Sequence, residues 1–226
     1  MNFQTWMIVY TNDSDRVDVF NNINKKVTTN LFPAIDSVNE FDKYAAYGLQ
    51  NDYVNEHFIA FSNEKKGKLG CNLSHQMLIE KIAKVSPYEW NLVLEDDVDI
   101  DESFFEKVDF ILDAATKNNS LFIQLYSHPK FHQAQQKEVK VVDDLYSMMF
   151  QWGTCGYFIH KKAIESFCSS FPLTENIDFA YGKKIRRWKS LCWLNNGLVT
   201  IGSKDGWDNK TKIGSIIHGF SNTSCS

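Results

Sequence analysis

The stretch NLVLEDDVDID, residues 91–101, passes from apolar residues straight into acids. Leu92, Val93 and Leu94 form a short continuous apolar run, the pattern of a strand buried on both faces. Behind them stand Glu95, Asp96, Asp97, Asp99 and Asp101, which repel one another unless they are solvated or neutralised. Carboxylates gathered at the end of a buried strand supply hard oxygen ligands, and a cation such as Mg²⁺ or Mn²⁺ offsets their repulsion. Such a cation can hold phosphates and stabilise the charge on a departing one. The alternative is a solvated acidic loop leading into a helix N-terminus, where carboxylates are also favourable.

The segments on either side set that strand in an alternating fold. KLGCNLSHQMLIEKIAKV (68–85) carries Leu69, Leu73, Met77, Leu78, Ile82 and Val85 at spacings of three and four, which predicts a helix ended by Pro87. Cys71, Ser74 and His75 then fall beside or on the rim of its buried face. DESFFEKVDFILDAA (101–115) reads as the following helix, with Asp101 or Ser103 near its N-cap and Phe104, Val108, Ile111 and Leu112 turned inward. Near the start, TWMIVYT (5–11) is a β-rich run, and NDSDR supplies turn residues before Arg16 heads a helix. VTTNLFPAID (27–36) reads as a strand closed by Asp36, and LFIQLYS (121–127) and LYSMMF (145–150) as further strands. GTCGYFIHKKAIESFCSSF (153–171) reads as turn, strand and helix. From ENIDFAYGKKIRRW (175–188) onward, the mixed Gly, Lys and Asp content predicts irregular structure and a mobile end. The alternation favours an α/β sandwich, whose ligands bind at the carboxyl ends of strands.

Composition narrows the function classes. A chain of 226 residues suits one domain that buries a core without disulfides. A net charge of −4 with no clustered basic stripe argues against binding nucleic acid. KKIRRW (183–188) is the local exception, either a solvated helix face or a contact for phosphate or an anionic lipid surface. Cys71, Cys155, Cys168, Cys192 and Cys225 are odd in number and contain no C-x-x-C pair, so they read as reduced core thiols. The first residues lack a signal-peptide pattern, and no run of about 18 apolar residues occurs. The expectation is a cytoplasmic protein, with peripheral attachment to a membrane open to it.

Several blocks together carry a family resemblance. GCNLSHQMLIEKI (70–82) followed by NLVLEDDV (91–98) resembles the glycosyltransferase family 25 pattern, in which a Gly-Cys-x-x-Ser-His helix precedes a Leu-Glu-Asp-Asp strand end. YTNDSDR (10–16), LFPAID (31–36) and GTCGYFIHKKAIESF (153–167) are similar to its other blocks, in order, from about Ile8 to Asp178. SIIHG (215–219) is a weaker match. Two departures are Thr11-Asn12-Asp13 in place of the usual Leu-Asp-Arg, and Leu69 in place of the usual Glu before the Gly-Cys pair. The family includes bacterial lipopolysaccharide galactosyltransferases and collagen galactosyltransferases.

The resemblance implies a GT-A-like nucleotide-sugar-binding sandwich in a single domain spanning residues 1–226. About 1–100 would form its nucleotide-binding half, and about 101–226 its acceptor half. It implies inverting transfer of a hexose, galactose from UDP-galactose, to a hydroxyl of a glycan or glycolipid acceptor such as a lipopolysaccharide oligosaccharide. UDP-glucose or another donor fits the motif too, and a non-catalytic glycan- or partner-binding module on the same fold is the remaining alternative. Asp97 and then Glu95 are the implied ligands of Mn²⁺ or Mg²⁺, with His218 as a third. Asp96 would hold the ribose or the donor sugar. Asp178 is either the catalytic base or a helix cap. Thr11, Asn12 and Arg16 lie where such folds receive the uridine and its phosphates. Ser74 begins the Ser-His pair, and His75 either binds hydroxyls of the sugars or caps nearby backbone. Lys210 and Lys212 would close over the diphosphate or simply face solvent. Trp152 or Trp207 would face a sugar ring or pack in the core.

Overall fold

A computed structural model describes residues 2–126, 135, 137–149, 153–194 and 198–201. Its first half is β1 (Phe3–Val9), α1 (Ser14–Lys26), β2 (Thr29–Pro33), α2 (Phe41–Gln50), α3 (Glu56–Ser62), α4 (Gly67–Val85) and β3 (Trp90–Glu95). Then come β4 (Val98–Ile100), α5 (Ser103–Lys117), β5 (Phe122–Gln124), β6 (Lys140–Val142), β7 (Leu145–Ser147) and β8 (Gly156–His160). The last described elements are α6 (Lys161–Cys168), α7 (Ile177–Gly182), α8 (Ile185–Trp188), β9 (Leu191–Trp193) and β10 (Val199–Ile201). Eight strands form one sheet in the order β2-β1-β3-β8-β5-β9-β7-β6, while β10 pairs with β4 in a small antiparallel sheet of its own. The strands β2, β1 and β3 are parallel, so their carboxyl ends, including Glu95, emerge together at one edge of the sheet.

Alternation along each central strand feeds two separate cores. Met7, Val9, Leu92, Leu94 and Phe158 pack against Phe104, Val108 and Ile111 of α5 and Ile23 of α1. Trp6, Ile8, Val93, Tyr157 and Ile159 pack on the other face against Leu78, Ile79 and Ile82 of α4, with Ile164 and Phe167 of α6. The result is a helix-sheet-helix sandwich of mixed α/β class, as the sequence predicts. Among the described residues no helix is long and apolar enough to cross a membrane.

Two expectations change. The segment from 175 onward is not irregular throughout, because α7, α8 and the inner strand β9 are built from it. Ile177, Tyr181, Ile185 and Trp188 supply the inward contacts that organise these short helices. Helix α4 also has no polar rim at Ser74 and His75, since both are buried together with Asn72 and Gln76. A third cluster, in which Phe41, Ala45, Val54 and Phe58 meet Leu69 and Leu73, covers the side of α4 that would otherwise face water. Most of the buried polar atoms on α4 are paired, Gln76 Oε1 being an exception among the described residues. Asn72 accepts from Ile177 N–H at 2.8 Å and donates to Glu175 C=O at 2.8 Å, which fixes the start of α7, and Gln76 donates to Tyr53 C=O at 2.7 Å.

Candidate active site

The carboxyl ends of β1, β2 and β3 and the first half of α4 line an open cleft. Its lining includes Ile8, Arg16, Ile35, Gly70, Ser74, His75, Glu95, Asp96 and Asp97. Gly70 permits the enclosure, because a Cβ there would lie 2.6 Å from Ser37 Oγ and closer still to Ile35 C=O. Ser74 Oγ ties the same loop to α4 by accepting from Ile35 N–H at 2.9 Å. Ser74 thus acts here on backbone at the cleft wall.

The three consecutive acids have three different environments. Glu95 Oε1 receives His75 Nε2 at 3.0 Å and the Thr154 hydroxyl at 2.5 Å. Burial alone would push its carboxyl up, but the hydrogen bonds and charges of His75, Thr154 and Arg16 outweigh it and hold Glu95 below the usual range. Asp96 is buried with both oxygens engaged, Oδ1 by the Arg16 guanidinium and Oδ2 by Tyr10 N–H at 2.6 Å. Burial still raises it, with Arg16 and the Tyr10 amide acting in the opposite direction. Asp97 is 3% exposed, and its Oδ1 has no hydrogen-bond partner among the described residues. Burial, then the charges of Glu95 and Asp96, push its carboxyl up to about 7.

A buried acceptor without a donor is costly, and a cation supplies what it lacks. A carboxylate oxygen of Asp97, one of Glu95 and the Cys155 sulfur all lie within 4.8 Å of one another. The carboxylates fit a hard divalent cation such as Mg²⁺ or Mn²⁺. Of the expected ligands, the structure brings Asp97 and Glu95 together, while His218 lies outside the described residues. So do Lys210, Lys212, Trp152 and Trp207.

Of the remaining expected residues Arg16 lines the cleft, whereas Thr11, Asn12 and Asp178 are not part of its lining. Arg16 is buried, with its N–H capped by Asp13 at the head of α1, and its guanidinium neutralises Asp96. Thr11 and Asn12 are exposed on the turn after β1. Next to them the Tyr10 hydroxyl donates to Asp36 Oδ2 at 2.9 Å. Asp178 lies in the first turn of α7, where its Oδ1 accepts from Phe179 N–H at 2.9 Å. Burial raises the Asp178 carboxyl, backbone donors oppose this, and the charge of Glu95 reaches it.

His75 differs from both of its expected roles. Its Nδ1 meets the Tyr157 hydroxyl at 2.9 Å, and Tyr157 meets the Tyr181 hydroxyl at 3.0 Å, while Nε2 meets Glu95. Both ring nitrogens are used inside the protein, so His75 orients Glu95. Tyr157, Tyr181 and Thr154 were not among the expected site residues. The block that holds Thr154 and Tyr157, GTCGYFI, is in the resemblance, but only the pairing of β3 with β8 carries it to the end of β3.

A family model described as Glycosyltransferase family 25 (LPS biosynthesis protein) matches residues 3–181. No curated protein sequence matches the chain. Among solved structures, A197 from STIV aligns over 88% of this chain and 83% of its own at 10% identity, with a TM-score of 0.45. A glycosyltransferase involved in the glycosylation of the major capsid of PBCV-1 aligns over 88% and 93% at 13% identity, with a TM-score of 0.42.

Proposed function

Because the chain belongs to glycosyltransferase family 25, we propose that the general activity of that family, glycosyl transfer, takes a particular form here. The reading is inverting transfer of a hexose, galactose from UDP-galactose, to a hydroxyl of a glycan acceptor such as a lipopolysaccharide oligosaccharide. The observation that carries it is the unpartnered, buried Oδ1 of Asp97 beside Glu95, in a cleft at the carboxyl ends of parallel strands. Asp97 and Glu95 would hold Mn²⁺ or Mg²⁺, and such an ion offsets charge on the leaving diphosphate.

The chain's own residues divide the remaining work. His75 and Thr154 hold one Glu95 oxygen, which leaves the other free to face the ion. Arg16 and the Tyr10 amide lock Asp96, so Asp96 shapes the floor beneath the donor. Thr11 and Asn12, beside the Tyr10–Asp36 pair on the turn after β1, would meet the nucleoside. Asp178 is the proposed base: its raised carboxyl gives a stronger proton acceptor once ionised, and it stands within the field of Glu95. Attack opposite the leaving diphosphate inverts the sugar carbon. A cytoplasmic location with peripheral membrane attachment fits the outer face of α8, where Lys183, Arg186, Arg187 and Lys189 are exposed.

The test is nucleotide release from a panel of UDP- and GDP-sugars, with Mn²⁺ or Mg²⁺ and an oligosaccharide acceptor. UDP-galactose should be selected, and Asp97→Asn should lower turnover by about 100-fold or more with the fold intact. Selective use of UDP-glucose would change the donor alone. Full activity in the Asp97→Asn protein would overturn the reading.

A further inference from the structure

The acidic strand end also carries sulfur. β8 runs antiparallel to β3, and Glu95 N–H donates to Cys155 C=O at 2.9 Å, so the residue before β8 lies across from the last residue of β3. This register brings Cys155 Sγ within 4.8 Å of a Glu95 oxygen and an Asp97 oxygen. Transfer with Mg²⁺ or Mn²⁺ needs no thiol, because both ions prefer oxygen ligands.

We propose that Glu95, Asp97 and Cys155 form a binding site for Zn²⁺, a thiophilic ion that competes there with the hard cation of the transfer reaction. The proposal rests on the reading of Glu95 and Asp97 as cation ligands. Zinc takes a cysteine sulfur at about 2.3 Å and carboxylate oxygens at about 2.0–2.2 Å. The ligand atoms around a tetrahedral zinc therefore stand roughly 3.3–3.8 Å apart, a small side-chain adjustment from the separations present. Two carboxylates and one thiolate leave a fourth position, open to the cleft. The unpartnered Asp97 Oδ1 is an independent pointer to a ligand, in a carboxylate 3% exposed to solvent. Zinc stands above Mn²⁺ in affinity for a given ligand set, and a thiolate widens that gap. Binding forms a zinc–sulfur bond and releases the Cys155 thiol proton to solvent. Cys71 belongs to a second group, with His75 and Glu95, but His75 is already engaged by Glu95 and Tyr157. Cys155 is the sulfur grouped with Asp97.

The test loads the full chain with Co²⁺ as a spectroscopic substitute for zinc. A thiolate-to-cobalt charge-transfer band is expected in the near ultraviolet, lost in Cys155→Ser and kept in Cys71→Ser and Cys192→Ser. Zinc affinity, read by competition with a chromogenic chelator, should fall more than about tenfold in Cys155→Ser, with Mn²⁺ affinity nearly unchanged. X-ray absorption at the zinc edge needs no variant and should show one sulfur at about 2.3 Å. A band that survives in Cys155→Ser, or a zinc shell of oxygen and nitrogen alone, overturns the proposal. Mn²⁺ binding without a zinc–sulfur contact sinks this inference only. A zinc–sulfur contact without any Mn²⁺ or Mg²⁺ binding sinks the hard-cation step of the proposed function instead.

Discussion

Removing the charge of Asp97 should make the metal-free protein more stable while it disables the site. The Asp97 carboxyl has an ordinary value of 3.8 and is pushed up to about 7 in the folded chain, by burial first and then by Glu95 and Asp96. At low pH both folded and unfolded chains carry the proton, so Asp97 costs nothing. As pH rises above about 3.8 the unfolded chain ionises freely while the folded one resists, and relative stability is lost until pH passes about 7. At about 1.4 kcal/mol for each factor of ten, the interval comes to about 4 kcal/mol. Asp97→Asn keeps the shape and removes this burden. The assay is urea unfolding of both proteins without metal, near pH 4 and again near pH 8. The two should nearly coincide at the acid end, and the variant should lead by up to about 4 kcal/mol at the alkaline end. Saturating Mn²⁺ should then raise the wild type and leave the variant where it was, because only the wild type holds the ion. Equal stability near pH 8 without metal would refute the claim that Asp97 is a buried, unneutralised carboxylate.

Arg16→Met strands Asp96 in a buried position and should cost about 3–5 kcal/mol by urea unfolding at neutral pH. Adding Asp96→Asn to that variant should recover much of the loss. Tyr157→Phe takes the hydroxyl away from His75 Nδ1 and from Tyr181, which should cost about 1–3 kcal/mol. It should also weaken Mn²⁺ binding by roughly 10-fold, measured by calorimetry, because Glu95 loses its fixed orientation. Gly70→Ala forces a methyl group against Ile35 C=O and Ser37 Oγ and should lower stability by about 1–3 kcal/mol in thermal unfolding.

The parts of the fold legible from sequence were those where one local pattern settles the outcome. The apolar run before Glu95 could only be an inner strand, and the three-four spacing from Leu69 to Val85 could only be a helix. What escaped depends on contacts made at a distance. Helices α2 and α3 bury Leu69 and Leu73 on the outer side of α4, while Ser74 meets Ile35 N–H and His75 meets Tyr157 and Glu95, which makes both interior. Helices α7 and α8 are six and four residues long, too short to hold themselves, and take their form from Tyr181 and Trp188 in the core. In the site, the motif identified the acids but not their partners. Thr154 and Tyr157 stand 59 and 82 positions from Glu95 and His75, and strand pairing joins the first pair as packing of α4 on the sheet joins the second.

The distribution of those partners explains how three successive carboxylates coexist at the end of a buried strand. Glu95 ends β3 and Asp96 and Asp97 lie on the turn after it, and each acid meets different partners. Asp96 receives a guanidinium and an amide, and Glu95 a hydroxyl and an imidazole backed by two tyrosines. Had Asp97 Oδ1 been given a donor as well, the cluster would be a satisfied structural knot with nothing to offer a ligand. Instead the fold neutralises two acids and holds the third buried, raised and unpartnered at the cleft. That imbalance is unfavourable for the empty protein and favourable for binding a cation. The stability gained by Asp97→Asn and the metal response it loses are thus two readings of one free energy, and they should change together across further substitutions at residue 97.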